Sequence, residues 1–346
     1  MSQIALTALE RRAALERLGY SEREADFLCL AALHGGYFLR RQYARFLDSP
    51  DGGTVTQLIE KALDLGHAEA ATYKANTHIY HLAARPFYAA LGQQDNRNRR
   101  RKEPMTIKTK LMGLDFVLDH PDQKYLTTEQ EKRRFFQERF SVQPHELPAK
   151  HYASRGEITD RYFVEKYPIF YSSSFEPASP PVVSFCFLDS GLAAVSAFES
   201  FLSQYARLFA HLRGFEVIYV AANEVLFAKA QTAFQRFSSS RQAPANGLAL
   251  DAELPKILEY FEARRLLEAK QFASFDRAKL IRFRDQQIAF GNPKTEALYK
   301  RWRAGDNLRD LFNPEPKQGF HPSNAGHFST YLLEYSYELF GHLTAH

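Results

Sequence analysis

The 346 residues carry 45% apolar side chains, with 29 Phe and 18 Tyr, which suffices to bury a core in each of two domains and excludes a disordered, solvating polymer. Two cysteines, Cys29 and Cys186, exclude a disulfide framework or a cysteine-based zinc site and fit a reducing cytoplasm; no window reaches the roughly 18 apolar residues of a membrane helix and no charged-then-apolar leader opens the chain, so a cytoplasmic protein with no membrane partner is expected. The formal charge of +5 lies wholly in residues 1–110, which hold 17 Lys and Arg against 12 Asp and Glu, while the remainder balances at 28 of each; such a cationic end is the footprint of nucleic-acid binding.

Apolar residues recur at helical spacing over residues 4–18 and stop at Gly19. Ser21 followed by Glu24 marks the capped start of a second helix that runs to Gly35-Gly36. Tyr37 to Leu47 reads as a further short helix, broken by Ser49-Pro50-Asp51-Gly52-Gly53, and the next begins at Thr54 and runs to Gly66. Alternation from Ala68 to Leu82 predicts a hairpin with its tip at Tyr73 to His78. The order helix, turn, helix, hairpin is that of a winged helix-turn-helix, which places its second helix in a major groove.

After a short helical piece over Arg85 to Leu91, Gln93 to Glu103 reads as a polar, arginine-rich linker. The expected organisation is therefore α+β: a winged helix-turn-helix over 1–92, a basic linker over 93–104, and an α/β domain over 105–346 with C-terminal helices. Within that domain the pattern predicts helices over Thr106–Leu118 and Thr127–Phe140. Strands are predicted at Arg161–Val164, Tyr167–Tyr171, Val182–Leu188 and Phe215–Val220, with helices over Ala194–Leu212 and Asn223–Phe237. Residues 238–250 read as a loop, Leu254–Trp302 as helical, and Tyr331–Leu343 as a final aromatic helix.

For DNA contact the pattern nominates Thr54, Thr56, Gln57 and Lys61 on the recognition helix, and Arg40, Arg41 and Arg45 on the preceding helix for phosphates. Tyr73, Lys74, Asn76 and His78 are nominated on the wing, and Arg97, Arg99, Arg100, Arg101 and Lys102 on the linker. The opposing interpretation of each is a solvated face; the adjacent wing and arginine run disfavour it for the recognition helix, while for the linker run the two readings stand level and for Arg40, Arg41 and Arg45 solubility is the ordinary role.

Asp115, Glu165 and Asp189 lie at or beside apolar runs, where carboxylates hold a divalent metal in nucleases. Asp189 is followed by Ser190-Gly191 rather than by a carboxylate-x-lysine pair, so it reads as a cap of the next turn or helix. His78, His81, His321, His327 and His342 have no zinc-ligand spacing, and no nucleotide-loop or hydrolase-elbow motif occurs, so neither a cofactor nor a metal is expected.

The runs Gly19-Tyr20-Ser21-Glu22-Arg23-Glu24-Ala25 and Tyr37-Phe38-Leu39-Arg40-Arg41-Gln42-Tyr43, with the hairpin to Tyr80, resemble winged-helix proteins of mobile elements, the replication-relaxation type above all. The resemblance implies an N-terminal winged helix followed by a restriction-endonuclease-like α/β domain, here in degenerate form. It points to a non-enzymatic, sequence-specific DNA-binding regulator of transcription or replication on a mobile genetic element, bound to double-stranded DNA as a homodimer. Leu254–Phe272 and Tyr331–Leu343 are the expected dimer surfaces. A metal-dependent nuclease or replication initiator, and a winged helix that docks another protein, are the alternatives. No polar cluster indicates a small ligand.

Overall fold

The computed structural model describes residues 6–74, 77–154, 157–164, 167–172, 181–191, 195–242, 247–269, 271, 275–291, 293–303, 325–337 and 344–345. The chain is a mixed α+β protein in two compact units, Met1–Ser238 together with Ser323–His346, and Ser239–Pro322.

The first unit begins with α1 (Ala8–Glu16) and α2 (Glu22–His34), started by the capping boxes Thr7/Glu10 and Ser21/Glu24. A two-residue strand β1 (Tyr37–Phe38) leads to α3 (Arg40–Phe46) and α4 (Gly53–Asp64). The hairpin of β2 (Ala68–Lys74) and β3 (Thr77–Leu82) comes next, then α5 (Arg85–Ala90) and a single 3-10 turn at Arg97–Arg99. Gly36, at φ +81, bends the chain between α2 and β1, and a Cβ there would lie 2.8 Å from the carbonyl oxygen of Asn98. Phe27, Phe38, Tyr43, Leu58 and Phe87 fill the core of this region.

Helix α6 (Pro104–Asp119) joins this region to the larger sheet. Its Leu114 belongs to the core just described, while Ile107, Leu111, Met112 and Phe116 pack with Tyr37, Leu39 and Ile79 and with Cys186, Leu188, Ile218 and Val220 of that sheet. The boundary expected near residue 104 therefore falls inside one compact unit. A helix with apolar residues on more than one side is buried between its neighbours, and α6 contributes to the clusters on both.

Strand β4 (Gln123–Tyr125), α7 (Glu129–Phe140), the hairpin β5 (Ala149–Ser154) and β6 (Glu157–Tyr162), β7 (Ile169–Ser172) and β8 (Val183–Asp189) come after α6. Helix α8 (Val195–His211), β9 (Gly214–Ala221) and α9 (Phe227–Gln242) complete the alternation. The principal sheet has the order β10-β9-β8-β7-β4, with β8 and β9 parallel. Strand β8 is buried along its whole length, as a strand covered on both faces must be. Phe185 and Phe187 face Phe198, Phe201 and Tyr205 of α8, whereas Cys186 and Leu188 face α6.

The second unit contains α10 (Gly247–Glu268), α11 (Arg277–Phe290) and α12 (Pro293–Arg303). Helix α9 extends to Gln242 and α10 starts at Gly247, so most of the expected 238–250 loop is helical. Ile257, Tyr260, Phe261 and Tyr299 form its core, so the expected dimer residues of α10 are largely used within the chain, and Phe272 lies outside the described residues.

Of the expected aromatic helix over Tyr331–Leu343, Tyr331 and Leu332 end a strand and residues 333–337 are not helical, while residues 338–343 lie outside the described residues. Ala325–Leu332 is strand β10, parallel to β9 in unbroken register from Ala325↔Gly214 to Leu332↔Ala221. Pairing with β9 carries the strand through Tyr331 and Leu332, the two residues that β10 shares with that expected helix. Leu333 and Tyr337 are buried against α6 and are not an open dimer surface. The last strand, β11 (Thr344–Ala345), pairs with β2, giving the small sheet the order β1-β3-β2-β11.

Candidate nucleic-acid interface

Helix α4 buries Val55, Leu58, Ile59 and Ala62, a stripe at intervals of three and four residues. The opposite face is left to solvent, and Thr54 and Gln57 are exposed on it with Glu60 and Asp64. Thr56 is half-buried; its hydroxyl donates to the carbonyl of Gly52 at 3.3 Å and accepts from Arg40 at 2.9 Å. Arg40 also grips Asp51 at 2.7 and 3.1 Å. Lys61 turns inward to Glu24, 2.6 Å away, and is not on the outward face where the sequence pattern put it.

Arg41 and Arg45 are the clearest departures. Arg41 donates two bonds of 2.8 Å to Asp115, which is 1% exposed, and a third to the hydroxyl of Tyr337. Its guanidinium lies over the Tyr335 ring, 3.8 Å from the centroid. Arg45 is ion-paired with Asp119 and with Glu334, the latter at 3.2 Å. Gln42, between them, donates to Asp115 and to the Leu111 carbonyl at 2.8 and 2.9 Å. The two arginines sit one helical turn apart on α3, as the two aspartates do on α6, so the helices join as a two-rung ladder. Burial pulls the Arg41 pKa down, but the bonds to Asp115 more than offset it and the guanidinium stays charged. Both guanidinium groups are thus engaged by carboxylates of the chain itself.

The basic strip is fastened at its centre. Asn98, 1% exposed, donates from Nδ2 to the carbonyls of Ala32 and Leu33 at 2.8 and 3.3 Å, and its own carbonyl lies 2.8 Å from His81 Nε2. Those two carbonyls end α2, where a helix has no partners of its own. Arg99 donates to the Gln94 carbonyl at 2.8 Å, and the Lys102 backbone donates to Tyr37 at 3.0 Å. Burial, then the charge of Arg100, lowers the Lys102 pKa. Arg100 and Arg101 are exposed, Arg101 beside Glu69 at 2.9 Å. The strip is thus a clamp with two exposed cations, not a loose arm. Arg97 lines a groove shared with α7.

On the hairpin, His78 is half-buried and stacks near Tyr80. Tyr73 and Lys74 are the last residues of β2, with side chains outside the described residues, and Asn76 lies outside them altogether.

Of the three nuclease carboxylates, Asp115 and Asp189 are each engaged with different partners. Asp115 belongs to the α3–α6 ladder, and Glu165 lies outside the described residues. Asp189, at the end of β8, accepts from the Gly191 amide and the Tyr219 hydroxyl, each at 2.8 Å, which makes it the turn cap that the sequence suggested. Among the described residues no group of three or more His, Cys, Asp or Glu is placed to hold a metal. Sequence reasoning missed Lys108. It sits on α6 rather than on the strand, buried, with its ammonium 3.8 Å from where a Cβ on Gly191 would lie. Burial lowers its pKa and Asp189 opposes that. Among the described residues no helix is long and apolar enough to cross a membrane.

In comparisons with known proteins, no family model, no curated protein and no solved structure matches the chain.

Proposed function

We propose that the chain is a sequence-specific DNA-binding protein whose residues 1–92 act as a winged helix-turn-helix, with α4 as the recognition helix and β2–β3 as the wing. The observation that carries this reading is the outward face of α4: its buried stripe leaves Thr54 and Gln57 exposed beside Arg40, at the start of a helix preceded by a tight turn. A hydroxyl and an amide there suit base edges, and Arg100 and Arg101 suit phosphates. The resemblance to mobile-element proteins supports a role in transcription or replication control on such an element, and pairing two short half-sites supports a homodimer.

Selection from a random duplex library with the full chain, followed by salt titration on the best site, tests it. Enrichment of a short inverted repeat bound at about 10⁻⁸ to 10⁻¹¹ M is the expected result. A library with no enriched site overturns the reading. Glu60 and Asp64, exposed on the same face of α4, favour a second reading in which this helix docks a basic protein surface. Weak, salt-insensitive DNA binding is its signature.

A further inference from the structure

A groove of about 890 Å³ runs between residues 92–97, the first half of α7, and residues 160–164. That volume lies in the range of small-molecule sites. Five of its lining residues are Lys or Arg against three Asp or Glu. Two of each sign, Glu129 and Asp160 among the acids and Lys132 and Arg161 among the bases, already interact with other groups of the chain.

Arg133 is the telling side chain. Its guanidinium lies over the Tyr162 ring, 4.6 Å from the centroid, which holds the planar fork in place. Its Nε is buried and has no hydrogen-bond partner among the described residues. A buried donor left unpaired is unfavourable unless something accepts from it, and an arginine fork held by stacking is shaped for a two-oxygen acceptor. Arg97 lines the same groove from the basic strip and Lys132 from α7, buried with its ammonium over the Phe163 ring at 5.6 Å.

We propose that this groove binds a phosphate monoester on a nucleotide-sized group, with Arg133 and Arg97 as the phosphate ligands. The proposal rests on the groove alone and is independent of the duplex-DNA reading. A stacked arginine requires little ordering on binding, and cations that line a recess are screened less than surface charges. The source of the monoester is either a free nucleotide or the phosphorylated end of a nucleic acid.

Calorimetric titration of the full chain with AMP, adenosine, inorganic phosphate and a short single-stranded oligonucleotide with and without a 5′-phosphate tests it. AMP binding at least tenfold tighter than adenosine is expected, with at least a tenfold loss in Arg133→Gln and in Arg97→Gln. Arg133→Lys, which keeps the charge but not the fork, is expected to fall between, and near-ultraviolet circular dichroism checks that each variant is folded. Tighter binding of the 5′-phosphorylated oligonucleotide than of AMP, lost in the same variants, assigns the monoester to a nucleic-acid end; the reverse order assigns it to a free nucleotide. Adenosine binding as tightly as AMP, no phosphate probe binding, or full affinity in folded Arg133→Gln and Arg97→Gln overturns the proposal.

Discussion

Helices α3 and α4 are consecutive in sequence, and a sequence pattern assigns residues of both to DNA, yet their nominated side chains are used differently. Helix α3 presents Arg41 and Arg45 to Asp115 and Asp119 of α6, while α4 presents Thr54 and Gln57 to solvent. The difference lies in the partners. Two aspartates at the spacing of the two arginines, some seventy residues later, turn one helix into an internal strut and leave the other with an exposed polar face. A half-buried guanidinium bonded twice to a buried carboxylate is a structural element, and an arginine count does not separate it from a phosphate ligand.

The largest way to break the comparison is Asp115→Ala, which leaves the Arg41 charge unpaired at a buried seam. A loss of about 3–5 kcal/mol in urea unfolding is expected. Asp115→Asn, which keeps an acceptor, is expected to lose less. If the ladder were only a surface pair, both would change stability by under about 1 kcal/mol.

Asn98→Ala tests whether the basic strip belongs with the strut or with the working surface. It removes the donor to two buried carbonyls, and a loss of about 1–3 kcal/mol in thermal or urea unfolding is expected. A strip that hangs free would tolerate the change.

Acid probes the inward side through His34, at the end of α2. Burial, then the charges of Lys132 and Lys110, hold its pKa down to about 3. The unfolded residue takes up its proton near pH 6.5, so the unfolded state binds more protons below that point. Stability is full above about pH 6.5 and is lost as pH falls toward 3, by about 2 kcal/mol between pH 6.5 and 5. Urea titrations at the two pH values read this loss, and His34→Gln is expected to flatten it.

The smallest effects on stability belong to the outward side, where the readout is DNA. Gln57→Ala is expected to reduce discrimination between selected and scrambled sites by about 1–3 kcal/mol. Arg100→Ala with Arg101→Ala is expected to weaken all duplexes alike and to reduce the salt slope by about one for each phosphate no longer neutralised. Each changes unfolding by no more than about 0.5 kcal/mol. Equal loss of discrimination from both would erase the distinction between reading and positioning residues.

Much of the fold was legible. The capping boxes at Ser21/Glu24 and before α7, the apolar stripe of α4, and the apolar runs of β8 and β9 each carry their own local signal. Strand β10 was not legible: only its last two residues fall in the run expected to be helical, and pairing with β9, more than a hundred residues earlier, decides for the strand. Of the candidate interface, the exposure of Thr54 and Gln57 came from periodicity. The inward turn of Lys61 to Glu24, the locking of Asn98 onto α2, and the placement of Lys108 beside Asp189 did not. The matching i,i+4 spacing of Arg41/Arg45 and Asp115/Asp119 was present in the sequence as a signal, but nothing local says that the two helices meet.

The sequence by itself determined the cationic N-terminal third, the helix–turn–helix–hairpin order and the α/β alternation, since charge, capping and period are properties of neighbouring residues. Only the tertiary structure decided which cations face outward, where the groove of Arg97 and Arg133 forms, and that α6 merges two expected domains into one unit. Those outcomes depend on contacts between residues tens to hundreds of positions apart, which arise only when the chain folds.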